Sequence, residues 1–208
     1  MTRRYVQRTR AESAERTRRQ VLAAARSAVL ADGRSEFSVG EIAAAADVAR
    51  STVYATFGSR AGLLAALADD TLQRAGLDDV VAEYLRPDAV EALDGSLRAS
   101  CRMYGADHRV FTRLLMLREV DPEAAEPLAR SQGDRAIGMA TLAGRLADQG
   151  ALRAGLSVER AADVLWVLTS FWTFDELYSG RGLDADACAE VLLEMAWSVL
   201  LGERDRPR

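Results

Sequence analysis

The 208-residue chain has no lysine, one histidine and two cysteines, and these scarcities exclude several kinds of chemistry. Without lysine, neither a Walker A phosphate loop nor a Schiff-base enzyme is possible. His108 cannot join other histidines around a metal ion, and Cys101 and Cys188 lack the spacing of paired metal ligands. We therefore expect no catalytic residue, no metal site and no cofactor. The neighbouring pair Asp107–His108 is better explained as ordinary surface or core residues than as an acid–base pair.

The chain is also poor in proline, with 4 residues, and it has no alternating run of β-branched residues. Long stretches rich in Ala, Leu, Arg and Glu favour helix instead. The most apolar stretch, residues 164–174, is too short to span a bilayer, and the charged N-terminus does not resemble a secretory signal. These features predict a cytoplasmic all-α protein that does not enter a membrane, with its cysteines reduced and buried.

Charge is divided unevenly along the chain. Residues 1–62 carry 11 arginines against 6 acidic residues, a balance of +5, whereas residues 63–208 have a balance of −9. A basic head on an acidic body is typical of a protein whose head meets a polyanion. Charge alone leaves a solvated, arginine-rich tail as an equal alternative.

The pattern of apolar residues predicts two helical domains behind a basic arm. Residues 1–14 are polar and are predicted to form a flexible arm. Helical spacing begins near Glu15 and continues to about Ala31, which opens a small domain over residues 15–62. Residues 63–208 follow as longer helices with short breaks and form the second domain.

Residues 38–60 contain two short helices joined by a tight link. Ser38 followed by Glu41 is a capping box, so the first of these helices begins at the next residue. Asp47 ends it after about two turns and is expected to adopt the left-handed conformation, which Asp tolerates. A second helix then begins at Ala49 or Arg50. Helices this short are not stable alone, so they must pack together and cross steeply, as in a helix-turn-helix.

The outer face of the second short helix is expected to be polar and close to solvent. It carries Arg50, Ser51, Thr52, Ala55 and Thr56, with Tyr54 beside them. Short polar groups and one arginine suit an approach to base edges and phosphates in a major groove. The alternative is a pair of surface helices in an ordinary bundle.

This segment resembles the helix-turn-helix of the TetR family of one-component transcriptional regulators. The residues that fit the family's motif are Ile42, Ala43, Ala46, Val48, Thr52, Tyr54, Phe57 and Ser59. Ser38 replaces the motif's leading Thr, Asp47 its turn Gly, and Arg60 its Lys. The resemblance covers residues 15–65 specifically and the rest only in architecture. It implies an N-terminal three-helix DNA-binding domain and a larger helical domain for ligand binding and dimerisation.

The resemblance also implies roles at individual positions. Ser38, Tyr54 and Arg60 would bind phosphates, and Arg50, Ser51 and Thr52 would lie nearest the bases. Thr56 stands where the family has an aromatic residue or a histidine that contacts the sugar-phosphate backbone, and it is the seventh candidate DNA-binding residue. The arm arginines would follow the minor groove or raise nonspecific affinity; they are Arg3, Arg4, Arg8 and Arg10. Because one such domain covers few base pairs, we expect a homodimer on a palindromic double-stranded operator.

The last two predicted helices, residues 157–178 and 184–202, are apolar on more than one face. One face of each helix can pack the core and the other needs a partner. The expected dimer-interface residues are Leu165, Leu168, Trp172, Val191, Leu192, Met195 and Val199. The alternative is a single large core without a dimer.

Flexible thioethers and aromatic rings in the middle helices suit an adaptable pocket for a small-molecule effector. The candidate ligand-binding residues are Met103, Tyr104, His108, Phe111, Met116, Met139, Trp166 and Phe171. Plain core is the alternative for each of them taken singly. We expect a regulator, by the family's usual mode a repressor, that a small apolar or aromatic ligand releases from DNA. A helical protein-interaction adaptor without an effector is the alternative function.

Overall fold

The structure, a computed structural model, describes the backbone of residues 2–31 and 37–202. Described side chains are those of residues 12–31, 37–126, 128–130 and 132–202. The helices are, in order, α1 (Thr2–Leu30), α2 (Val39–Ala45), α3 (Arg50–Phe57), α4 (Arg60–Ala75), α5 (Leu77–Tyr84), α6 (Ala89–Ala106), α7 (His108–Val120), α8 (Pro122–Asp148), α9 (Val158–Leu168), α10 (Phe171–Arg181) and α11 (Ala185–Leu200). The prediction of an all-α protein is confirmed; within the described backbone, one isolated antiparallel bridge joins Leu152 and Leu201.

The chain divides into two compact units that do not coincide with the predicted domains. The first unit comprises Met1–Thr71 and Thr112–Ala129, and the second comprises Leu72–Phe111 and Arg130–Arg208. The first unit thus extends past the predicted boundary at residue 62 and includes a later segment of α7 and α8. Sequence periodicity could not reveal this inclusion, because it depends on contacts between residues far apart in the chain.

In the first unit, α1 packs against α2 and α3, and these two short helices pack against each other. Buried apolar residues of this unit come from α1, α2, α3 and α4 and from Phe37, which precedes α2. Among them are Val21, Leu22, Ala25, Phe37, Val39, Ile42, Ala43, Val53, Leu63, Leu64 and Leu67. This shared core supplies the stability that neither short helix has alone.

In the second unit, α6 packs against α5 and α11, and α9 packs against α11. Leu93 and Leu97 of α6 are fully buried, as are Leu192 and Leu193 of α11. Arg98 of α6 binds Asp94, with 2.9 Å between Nε and Oδ2, and reaches Glu190 of α11. The two central helices are therefore joined by apolar packing and by an ion-pair cluster at their edge.

Side-chain caps explain where several helices begin. Asp88 accepts hydrogen bonds from the backbone N–H groups of Val90 and Glu91, at 2.8 and 2.9 Å. Asp184 accepts one from Ala187 at 2.8 Å, and Ser157 caps α9 in the same way. Each cap satisfies donors that have no partner inside the helix, so these starts could be predicted from local sequence.

The N-terminal prediction was wrong about where the first helix starts. The described backbone is helical from Thr2, whereas the sequence predicted a flexible arm up to residue 14. Residues 2–30 contain no glycine or proline and are rich in Arg and Ala, so nothing in them interrupts a helix. The side chains of Arg3, Arg4, Arg8 and Arg10 lie outside the described residues. The sequence also predicts that Asp32 and Gly33 end this first helix, and both of them lie outside the described residues.

The predicted single helix over residues 157–178 is two helices, α9 and α10. At the break, the Thr169 hydroxyl donates to the carbonyl of Leu165 at 2.8 Å, and Ser170 caps α10 by accepting from the N–H of Trp172 at 3.2 Å. Such hydroxyls compete with the helical hydrogen bonds of the backbone. The pair Thr169–Ser170 is the sequence signal for this break, and it is easily missed because the residues on both sides continue the apolar pattern. The short helix α5 was not predicted either.

No helix in the described ranges combines the length and the apolar character needed to cross a bilayer.

Candidate nucleic-acid interface

The link between α2 and α3 has the geometry that the sequence predicted. The Ser38 side chain accepts from the backbone N–H of Glu41 at 3.4 Å, as expected for the predicted cap. Asp47 has a φ of 53°, the left-handed value expected for it, and Val48 donates its N–H to the carbonyl of Ala43 at 3.0 Å. These local bonds turn the chain within four residues, so α3 leaves α2 in a helix-turn-helix.

One side of α3 is held against the core of the first unit. Val53 is fully buried, and the Arg18 guanidinium of α1 lies over the Phe57 ring, 4.9 Å from its centroid. The helical spacing predicts that Val53 and Phe57 face inward; Val53 does so completely, and Phe57 is half-buried. Their burial fixes the rotation of α3 about its axis and determines which residues meet solvent.

The opposite side of α3 is open and contains no acidic residue. Arg50, Ser51 and Ala55 are exposed, and Tyr54 is 37% exposed. Arg50 lies 5.6 Å from the centroid of the Tyr54 ring and donates from Nη2 to its hydroxyl at 3.2 Å. The structure thus brings together a cation, a phenol and a hydroxyl on one exposed helix face, which suits contacts to phosphates and base edges.

Thr52, Thr56 and Ser38 are less available than these exposed residues. Thr52 and Thr56 are half-buried, and the Thr56 hydroxyl donates to the carbonyl of Thr52 at 2.8 Å. Ser38 is half-buried and its oxygen caps α2. Each hydroxyl keeps capacity for another bond. Their predicted contacts to DNA remain predictions.

Arg60 is placed differently from the other predicted phosphate ligands. Its Nε donates to the carbonyl of Phe37 at 2.9 Å, and its guanidinium binds both oxygens of Asp121 and reaches Glu123 at 3.2 Å. The hydrogen bond with Asp121 raises the pKa of Arg60, and the same bond lowers the pKa of Asp121. In this structure the guanidinium of Arg60 is occupied by ion pairs with Asp121 and Glu123. We therefore leave Arg60 out of the phosphate-binding set.

Several candidate ligand-binding residues form one aromatic cluster in the second unit. The Tyr104 ring centroid lies 5.3 Å from that of Phe111 and 5.4 Å from that of Phe171, both edge-on. His108 stacks on Phe171 at 5.5 Å, and Met103 is buried nearby in α6. Burial raises the pKa of the Tyr104 hydroxyl. We call Tyr104, His108, Phe111, Phe171 and Phe174 the aromatic cluster.

The remaining candidate ligand residues are divided between this region and the surface. Met139 is in reach of the Thr169 hydroxyl, with 3.5 Å between Sδ and Oγ1, and Thr169 also accepts from the Tyr104 hydroxyl through its carbonyl at 3.2 Å. Trp166 is partly exposed beside them. Met116 is 49% exposed on α7, so its inclusion in a buried pocket has no support.

His108 bonds with residues that the sequence analysis missed. Its Nε2 lies 2.6 Å from Asp175 Oδ1 and 3.2 Å from Ser179 Oγ, and the Ser179 hydroxyl donates to Asp175 at 2.6 Å. A catalytic triad places the carboxylate and the serine on opposite ring nitrogens. Here both meet the same nitrogen, so this cluster is not arranged for nucleophilic catalysis.

The predicted dimer-interface residues separate into two groups. Leu165, Leu168 and Leu192 are buried inside the second unit, so they pack its own core and not a partner. Trp172 is 41% exposed and Met195 is 48% exposed, while Val191 and Val199 are half-buried. Val191, Met195 and Val199 are four residues apart along α11 and therefore share one face.

Comparison with known protein families agrees with the resemblance seen in the sequence. Residues 21–67 match the family described as bacterial regulatory proteins, tetR family. These residues include α2, α3 and the turn between them. No curated protein matches the chain.

Solved structures share the fold across nearly the whole chain. NalD, the secondary repressor of the MexAB-OprM multidrug efflux pump in Pseudomonas aeruginosa, is 25% identical with a TM-score of 0.71, covering 92% of this chain and 99% of NalD. SmeT, the repressor of the Stenotrophomonas maltophilia multidrug efflux pump SmeDEF, is 17% identical with a TM-score of 0.69, covering 91% of this chain and 93% of SmeT. FadR from Bacillus subtilis, solved with stearoyl-CoA, is 20% identical with a TM-score of 0.68, covering 85% of this chain and 96% of FadR.

Proposed function

We propose that this chain, a TetR-family transcriptional regulator by its N-terminal domain, binds a palindromic operator through the exposed face of α3. The single observation that carries the proposal is the placement of Arg50, Ser51 and Tyr54 together on that face, with Val53 buried behind them. The face lacks acidic residues, and the Arg50–Tyr54 contact orients both side chains before DNA arrives. Pre-orientation lowers the entropy lost on binding.

The regulator acts as a homodimer in this proposal. Two copies of α3 must face successive major grooves, about 34–36 Å apart or a multiple of that distance, which makes the operator palindromic. Trp172 and Met195 leave large apolar surface exposed on α10 and α11, and such surface marks interaction sites. The core residues Leu165, Leu168 and Leu192 do not belong to this interface.

The second unit binds a small apolar or aromatic effector that releases the operator, so the protein is a repressor. The aromatic cluster and Met139 support this part of the proposal, because polarizable side chains adapt to apolar ligands. The repressor names of NalD and SmeT favour repression over activation. A regulator of this kind works in the cytoplasm, where its DNA is located.

The test is binding to a labelled DNA fragment from upstream of the protein's own gene, measured by fluorescence anisotropy. Tyr54→Ala is expected to weaken binding by about 1–3 kcal/mol for all operator sequences, because Tyr54 is assigned to the phosphate backbone. Wild-type affinity should fall steeply with salt, as counterion release requires.

Two control variants sharpen this test. Tyr54→Phe keeps the ring beside Arg50 and removes only the hydroxyl, so it should lie between wild type and Tyr54→Ala. Arg160→Gln removes an exposed arginine of α9, in the second unit, and should bind as wild type does. If Tyr54→Ala binds the DNA as tightly as wild type does, Tyr54 does not belong to the DNA interface. If the wild-type protein does not bind this DNA at low salt but does bind other proteins, the adaptor function is favoured.

A further inference from the structure

Arg135 of α8 is the functional candidate that the sequence analysis missed. Its guanidinium lies over the indole of Trp166, with 3.5 Å between Cζ and the ring centroid. Nη1 donates to the carbonyl of Trp166 at 2.7 Å and to the hydroxyl of Thr169 at 2.9 Å, and Nη2 donates to Gln132 at 3.0 Å. The cation is thus held in one orientation by four contacts with α8, α9 and the residue after α9.

None of the acceptors that hold Arg135 carries a charge. They are a carbonyl, a hydroxyl and an amide, and no described carboxylate lies within ion-pair distance of the guanidinium. Arg60 and Arg98, which are also partly buried, each bind two carboxylates. Partial burial accordingly lowers the pKa of Arg135, whereas the carboxylates raise those of Arg60 and Arg98. Placing a charge out of water without a counter-ion is unfavourable.

Arg145 is a second arginine held by neutral acceptors, and its contacts are explained by the fold without a ligand. It donates to the backbone carbonyls of Tyr84, Arg86 and Pro87 at the end of α5, where the helix dipole is negative. Arg135 receives such help from a single carbonyl, that of Trp166 in the last turn of α9. Three of its five N–H donors are used, which leaves Nε–H and one N–H of Nη2.

The surroundings of Arg135 connect it to the aromatic cluster. Thr169 bonds to Arg135 through its hydroxyl and to the Tyr104 hydroxyl through its carbonyl, at 3.2 Å. Tyr104 in turn contacts Phe171. The Arg135 guanidinium, with two N–H donors unused, is therefore joined to the aromatic cluster through one residue, Thr169. A guanidinium with N–H donors to spare on two nitrogens suits the two oxygens of a carboxylate.

We propose that the effector of this regulator is an organic carboxylate whose acid group binds Arg135 and whose apolar part packs on Trp166 and the aromatic cluster. The inference rests on the proposed function, since it names the chemical class of the effector. It assigns to Arg135 the selection of acids over neutral compounds of the same shape. The apolar residues supply affinity and Arg135 supplies specificity.

The experiment compares acids with their uncharged analogues by isothermal titration calorimetry on the full chain. The probes are benzoate, naphthalene-2-carboxylate and octanoate, each against its primary amide. Wild type is expected to bind at least one acid about tenfold or more tightly than its amide, because a charge-assisted bidentate contact contributes about that much. If wild type binds no acid better than its amide, the proposal is overturned without any variant.

Variants then assign the preference to Arg135. Arg135→Gln should abolish the preference for the acid, and Arg135→Lys should retain part of it, because the charge stays while the forked geometry is lost. Arg160→Gln makes the same change of charge on α9 and should keep the full preference. A preference that persists in Arg135→Gln would overturn the assignment.

Two further measurements separate the remaining explanations. Sedimentation shows whether Arg135→Gln weakens the dimer; a weaker dimer with an unchanged acid preference would mean that Arg135 meets a carboxylate of a second copy, and would overturn the proposal. Operator binding without any probe separates this inference from the proposed function. If wild type binds the operator but shows no acid preference, only the carboxylate inference fails.

Discussion

Among single residues, Arg50 and Arg60 differ in whether a carboxylate already binds the guanidinium that the proposed function would place on DNA. Arg50 has a tyrosine hydroxyl as its partner and stays exposed on α3. Arg60 occupies a motif position with the right charge, yet Asp121 and Glu123 bind it from 61 and 63 residues away. Binding a phosphate through Arg60 would require breaking these contacts. Its present role is to hold the start of α4 against the turn between α7 and α8.

This role of Arg60 predicts a loss of stability in Arg60→Gln. The side chain is 21% exposed, and its removal leaves Asp121 without its main partner, so unfolding in urea should show a loss of about 1–2 kcal/mol. Because Arg60 lowers the pKa of Asp121, the stabilisation is present above the ordinary Asp pKa of 3.8 and is lost as pH falls through the folded-state value. The difference between variant and wild type should therefore shrink in acid. Arg160→Gln, an exposed change, should match wild type; equal stability of Arg60→Gln at pH 7 would contradict this role.

Cys101 is expected to be unreactive in the folded protein. Burial raises the pKa of this thiol to about 12, with Cys188 as a smaller cause, so almost no thiolate exists at neutral pH. Iodoacetamide at pH 8 should label it slowly in the folded chain and rapidly in denaturant, as mass spectrometry of the peptides can measure. Rapid labelling under native conditions would show that α6 opens locally. Cys188, also buried, provides an internal comparison.

Among the helices, the turn between α2 and α3 is the element whose strain can be tested directly. Asp47 has a φ of 53°, where glycine has no steric cost and a β-branched residue has a large one. Asp47→Gly is expected to leave stability unchanged or to raise it by up to about 1 kcal/mol, and Asp47→Val to lower it by about 1–2 kcal/mol. Thermal unfolding of the two variants measures the difference. Asn tolerates this conformation, so Asp47→Asn serves as the neutral control.

The division of residues 157–178 into α9 and α10 shows how a short polar pair changes the course of an apolar segment. Thr169 ends one helix with its own hydroxyl, and Ser170 begins the next. The break also places the Thr169 side chain on Arg135. In an unbroken helix, the side chains of Thr169 and Ser170 would point in the directions set by the regular helical turn of about 100° per residue. The contact that carries the carboxylate inference thus depends on this break.

For the whole molecule, the proposed operator binding requires a dimer that holds its two α3 helices at a fixed separation. Met195→Asp places a charge on the exposed apolar face of α11 and is expected to shift the protein to monomers in analytical ultracentrifugation, because charges are disfavoured at the centre of an interface. Operator affinity should fall with it. Val81→Asp introduces the same charge at an exposed apolar site of α5 and should leave the dimer intact. A dimer that survives Met195→Asp would exclude this face of α11 from the interface.

Local sequence determined the helix-turn-helix that α2 and α3 form. The cap at Ser38, the turn at Asp47 and the inward Val53 depend on residues within one or two turns, so their pattern was sufficient to predict them. The tertiary structure decided which apolar faces the chain itself covers, as at Leu165 and Leu192, and which acceptors surround Arg60 and Arg135. Periodicity identifies an apolar face but not its neighbour, because a side chain's partners are set by packing between residues far apart in the chain.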